Sequence, residues 1–189
     1  MKIKANHILK ALAVAAAVAS APAAMAANGE ITFSGAVTST TCTITGGGGA
    51  TGTNNMTVKL PTVSVSALSN SGDTAGRTPF SINLAGCTAG ATKVATSFEA
   101  GNTVDQASGQ IKLIDDGSGT PVAENVRIRL LNNTQAAIVA GAPQSAQNSQ
   151  QVDLAGGAAT LQYYAEYVAT GTAKAGTASS RIQYSLTYE

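Results

Sequence analysis

The chain has 189 residues, of which 44% are hydrophobic and only 11% charged, with a formal charge of +1. Such a length suits one domain with its own core, and the lack of a basic patch or of aromatic–basic interleaving speaks against nucleic acid as a partner. The single histidine, His7, lies in a leader expected to be removed, so the rest of the chain has no imidazole for a Ser-His-Asp triad, a Cys-His pair or a His-ligated metal. No catalytic residue, cofactor or metal site is expected.

Residues 1–26 read as a secretory signal. Lys2, Lys4 and Lys10 accompany the apolar run Ala11–Ala19, and Ala24-Met25-Ala26 supplies a small-x-small cleavage site. The run is too short and too Ala-rich to span a bilayer, and no later segment is long or apolar enough to do so. Cleavage before Ala27 leaves eight Lys and Arg of the eleven against ten Asp and Glu, turning +1 into −2. Export places the chain in an oxidising compartment. There the two cysteines, Cys42 and Cys87, read as one disulfide; free thiols or a redox pair fit less well, because C-x-x-C spacing is absent.

Gly29 to Cys42 sets Ile31, Phe33, Gly35 and Val37 on one parity and Glu30, Thr32, Ser34 and Thr38 on the other. Period two with β-branched and aromatic residues marks a strand with one buried face. No turn follows that could fold it back as a hairpin, so its partner is either distant in the same chain or in another chain. The alternation continues to Ile44 and breaks at Gly46-Gly47-Gly48-Gly49, so the segment to Asn55 is expected to be a flexible loop. Val58, Leu60, Val63 and Val65 flank Pro61, which makes Met56–Leu68 an edge or kinked segment.

Thr78–Cys87 is a strand with Phe80, Ile82 and Leu84 inward, and Thr92–Ala100 one with Val94, Thr96 and Phe98 on a face. Gln110–Ile114 is a short strand ended by a hairpin-like turn, Asp115-Asp116-Gly117-Ser118-Gly119. That turn lacks the spaced oxygen ligands and terminal Glu of a calcium loop. Val122–Asn132 follows, with Val126, Ile128 and Leu130 in register and Arg127 and Arg129 outside. Ala140–Asn148 is loop-like, and Val152–Leu154 a brief strand. In Ala159–Thr170, Leu161, Tyr163, Ala165 and Tyr167 share a parity; Thr172–Gly176 turns. Thr177–Glu189 closes the chain, with Ile182, Tyr184, Leu186 and Tyr188 alternating against Arg181, Gln183, Ser185 and Thr187. No sustained 3.6-residue apolar period occurs, and short strands separated by turn signals point to an all-β sandwich.

The two ends are the peculiar feature. A closing strand with an open flank and an unpaired strand at the N-terminus together suit strand donation between chains. The chain resembles the major pilins of the chaperone–usher class, of the type 1 fimbrial kind. Four features carry the resemblance: the Gly-x-Ile-x-Phe-x-Gly-x-Val strand of Gly29–Val37 leading to Cys42; the stretch Gly76-Arg77-Thr78-Pro79-Phe80-Ser81-Ile82-Asn83-Leu84 ending in Cys87; Gly176 set back from the C-terminus; and the alternating tail with Tyr188 penultimate. The Gly46–Gly49 insertion and the proline-interrupted segment after it depart from that pattern.

The resemblance implies an incomplete immunoglobulin-like β-sandwich that lacks its last strand and is completed by a donor strand from another chain. It implies an order of signal peptide (1–26), donor extension (27–41) and pilin domain (42–189). Ile31, Phe33, Gly35 and Val37 are then the donor residues, with Gly35 either a strand defect or bulge or, as the resemblance favours, set for a close backbone approach in the neighbour. Gly176, Ile182, Tyr184, Leu186 and Tyr188 form the acceptor groove and the C-terminal strand gripped by a periplasmic chaperone. An outer-membrane usher would exchange that chaperone for the next identical or related subunit, giving a head-to-tail surface fimbria that supports adhesion or biofilm formation. A minor, adaptor or tip-associated subunit with receptor binding is the alternative. A two-domain tip adhesin has no room here, and an enzyme on a sandwich scaffold lacks the histidines.

Overall fold

The computed structural model describes residues 39–88 and 90–189, together with 32, 34, 35 and 37. The signal segment 1–26 and the donor positions Ile31 and Phe33 lie outside the described residues. Among the described residues no helix is long and apolar enough to cross a membrane. The strands are β1 (Thr43–Gly47), β2 (Ala50–Thr51), β3 (Thr57–Val58), β4 (Thr74–Ala85), β5 (Lys93–Phe98), β6 (Ile111–Lys112), β7 (Glu124–Leu131), β8 (Gln151–Asp153), β9 (Ala159–Lys174) and β10 (Tyr184–Tyr188). Single 3-10 turns occupy Val65–Leu68 and Gln144–Ala146.

Two sheets carry the domain, one of five strands in the order β1-β4-β9-β7-β6 and one of three in the order β10-β5-β8. The core lies between them, where the predicted parities converge. Phe80, Ile82 and Leu84 of β4 and Leu161, Tyr163 and Ala165 of β9 meet Val94 and Phe98 of β5, all buried. Tyr163 is the hinge of this packing: its ring centroid lies 5.6 Å from that of Phe80 and 5.2 Å, edge-on, from that of Phe98. Edge-to-face contacts of this kind add about 0.5–1.5 kcal/mol beyond burial.

The glycine run departs from expectation. Gly46 and Gly47 are not a flexible loop but the end of β1, paired with Ile82 and Ser81 of β4. The reason is close approach: a Cβ on Gly47 would sit 2.4 Å from the Asn83 amide nitrogen, and one on Gly49 2.3 Å from the Pro79 carbonyl oxygen. Glycine is used here for its missing side chain. Of the Met56–Leu68 segment only Thr57–Val58 lies in a ladder, and Val65–Leu68 forms a 3-10 turn.

Two further differences concern the long strands. β9 runs on to Lys174, past the expected end at Thr170, because β7 pairs with it as far as Glu124↔Lys174. By contrast, only Tyr184–Tyr188 of the tail forms a ladder. The preceding residues turn a corner between the sheets: Thr177 bridges Val122, Ser179 bridges Ile114, and the Arg181 carbonyl accepts from the Thr103 hydroxyl at 2.7 Å. Nor is Asp115–Gly119 a tight hairpin, since β6 and β7 pair through Ile111↔Ile128 across a much longer connection.

Outside the core, the carboxylate of Glu166 is 1% exposed and lies between two guanidinium groups, Arg77 at 2.7 Å and Arg129. A buried carboxylate is tolerated because both of its oxygens are paired. Arg129 thus faces outward as its parity requires, yet is not a free surface charge.

Candidate functional site

β10 has a neighbour on one flank only. Its residues pair with β5 in the register Tyr184↔Phe98, Leu186↔Thr96 and Tyr188↔Val94, and no strand among the described residues takes the other side. An edge of unpaired N–H and C=O groups is a template for another strand. Beside it runs a groove of about 1070 Å³. Its walls are β10 and the 182–183 approach on one side and Met56, Val58 and Leu60 on the other; its floor is Phe80, Ile82 and Leu130. The groove thus opens directly onto the core.

The expected groove residues gather there, with one exception. Ile182, Tyr184, Leu186 and Tyr188 are half-buried and pack against the core, while Gln183, Ser185 and Thr187 between them are exposed. Burial pushes the Tyr184 and Tyr188 phenols above the ordinary tyrosine range, and the neighbouring Tyr188 raises Tyr184 further. Both are therefore neutral at physiological pH, and the Tyr184 hydroxyl donates a hydrogen bond to the Asn54 carbonyl at 2.8 Å. Gly176 lies elsewhere. It lines a second, smaller pocket of about 400 Å³, pressed against residues 121–123 so closely that a Cβ would meet the Ala123 nitrogen and the Pro121 oxygen at 2.4 Å. What that position needs from glycine is room for a neighbouring backbone.

Two of the expected donor positions, Gly35 and Val37, fall among the described residues. Val37 is fully exposed, at 102%, and a Cβ built on Gly35 meets nothing within 4 Å. Behind them the chain is fastened: the Thr88 N–H donates to the Thr41 carbonyl at 2.9 Å, the Thr41 N–H to the Thr88 hydroxyl at 3.0 Å, and that hydroxyl to the Ser39 carbonyl at 3.3 Å. Cys42 and Cys87 are joined as a disulfide.

Sequence reasoning missed Gln147, which it left in a polar loop. Its side chain is buried and completes the end of β5, accepting from the Phe98 N–H at 2.9 Å and donating to the Phe98 carbonyl at 2.9 Å. Only the three-dimensional path of residues 140–148 shows that an amide is acting as a missing strand there.

Residues 60–189, more than half of the chain, match the family model of FimA, type-1 fimbrial protein A. The chain is 45% identical over 175 residues to the major fimbrial subunit SMF-1 of Stenotrophomonas maltophilia, covering 90% of this chain and 98% of that protein. It is 39% identical over 178 residues to the F17 fimbrial protein of Escherichia coli, covering 92% and 94%. The fold is similar to that of the P pilus rod subunit PapA, with a TM-score of 0.56 at 18% identity over 78% of this chain and 99% of that one.

Proposed function

Because the chain belongs to the type-1 fimbrial protein A family, whose members are structural subunits of surface fimbriae, we propose that it polymerises head to tail by donating residues 27–38 into the open groove of a neighbouring copy. The observation that carries this reading is the match of two unsatisfied halves. One is an apolar groove of about 1070 Å³ beside the free edge of β10; the other is an alternating arm whose Val37 is fully exposed.

The dimensions agree. At roughly 3.3 Å per residue an extended arm from Ala27 to Thr38 spans about 40 Å, more than the five-residue ladder of β10 needs. Burying Ile31, Phe33 and Val37 stabilises the joint by about 1.5–3 kcal/mol each, offset in part by the cost of association and ordering. Gly35 would bring its backbone close to the groove where the other donors insert side chains. Before assembly, a periplasmic chaperone would cover the same groove and β10, and an outer-membrane usher would be the place of exchange. The role is mechanical rather than chemical, and the fimbria is the cell-surface structure it builds.

The test uses parity. Phe33→Asp removes an apolar anchor and places a charge in an apolar site, so fimbriae should be lost, with the joint weakened more than thirtyfold. Thr32→Asp changes the neighbouring, exposed residue and should leave assembly near wild type. Equal fibre yields from the two variants, scored by electron microscopy, would contradict strand donation in this register.

A further inference from the structure

Among the described residues, one hydrogen bond joins the two walls of the groove. Tyr184 sits on the core-facing parity of β10, its ring packed against the main core, and its hydroxyl crosses to the backbone carbonyl of Asn54 at 2.8 Å. Both residues line the groove. The Asn54 carbonyl is not on a free loop tip. Asn54 has a left-handed φ of 53°, its N–H donates to the Ile44 carbonyl at 3.3 Å, and the Gly46 N–H donates to the Gly52 carbonyl at 2.8 Å. Thr45 and Thr53 form a bridge as well. The acceptor is thus held from β1, an edge of the five-stranded sheet, while the donor stands on β10, an edge of the three-stranded one.

We propose that Tyr184 is a crossbar that gates the unfilled groove: a guest strand completes its pairing with the free flank of β10 only after the Tyr184 hydroxyl leaves Asn54. This rests on the acceptor reading of the groove and adds a rate-setting residue to it. The bond exists only while the groove is empty, so it stabilises the empty state and not the filled one. Its removal therefore speeds entry and leaves departure unchanged. In the filled joint the Asn54 carbonyl is released to water or to an N–H of the guest.

The experiment follows association of a fluorescent peptide of residues 27–41 with the secreted full-length subunit, isolated as a monomer, by anisotropy. Tyr184→Phe keeps the ring and removes the hydroxyl. One hydrogen bond's net worth corresponds to roughly a fivefold change, so association should be about fivefold faster, with dissociation unchanged. Tyr164→Phe removes a phenol of β9 that does not line the groove, leaves the crossbar in place, and should associate at the wild-type rate. A Tyr184→Phe rate equal to wild type, or an equal acceleration in both variants, overturns the gate while leaving the acceptor groove standing. Failure of the peptide to bind any of the three proteins overturns the acceptor reading, and the gate with it.

Discussion

A subunit lacking Ala27 to Thr38 should be secreted, folded and unable to form fibres. The deletion ends just before Ser39, so the bonds that fasten Ser39 and Thr41 to Thr88 are spared, as is the disulfide at Cys42. Among the described residues, the core cluster begins beyond the deleted segment. What it takes away is every proposed donor side chain, each worth about 1.5–3 kcal/mol on burial, together with the ladder bonds the strand would form, worth a net ~1 kcal/mol each. Losing several kcal/mol from one joint lowers its equilibrium constant by orders of magnitude, and a head-to-tail polymer multiplies that loss at every joint. Sedimentation of the secreted protein should show only monomer, with an unchanged β-rich circular dichroism spectrum. Fibres of normal length from the deletion would show that subunits are joined by another surface.

Replacing both cysteines, Cys42→Ala with Cys87→Ala, should cost the isolated subunit about 4 kcal/mol, the chain-entropy value for a loop of this size; the bonded residues are separated by 45 positions. At roughly 2–4 °C per kcal/mol for a domain of this length, the thermal midpoint should fall by about 8–16 °C. The loss matters more here than in a closed sandwich, because β10, one wall of the groove, is paired on one flank only among the described residues. The same bridge fixes the root of the arm to the end of β4, so the variant should also yield fewer and shorter fibres. A midpoint within about 2 °C of wild type would mean that the pins to Thr88 hold the root of the arm without help.

Much of this was legible in the residues. Period-two parity located β4, β5, β7 and β9, because a strand between a core and a surface must alternate: Ile82, Val94, Leu130 and Leu161 all land inside. The C-terminal groove residues Ile182, Tyr184, Leu186 and Tyr188 follow from the same alternation. The glycine run misled for a physical reason. Local composition speaks of flexibility, whereas the need at Gly47 and Gly49 comes from Asn83 and Pro79 more than 29 positions away. Gln147 and the corner at residues 177–183 were hidden likewise, since side-chain bonds to distant backbone leave no period in the sequence. The Tyr184–Asn54 contact belongs to the same class, with partners separated by 130 positions.

The most direct measurement is the gel mobility of fibres sheared from the cell surface, in detergent, with and without boiling. A joint made by a buried intermolecular strand comes apart slowly, since dissociation must unzip the ladder and expose its apolar anchors together. The unboiled sample should therefore run as a ladder of multimers, and boiling should collapse it to a single subunit band. A single band under both conditions would contradict strand donation between subunits.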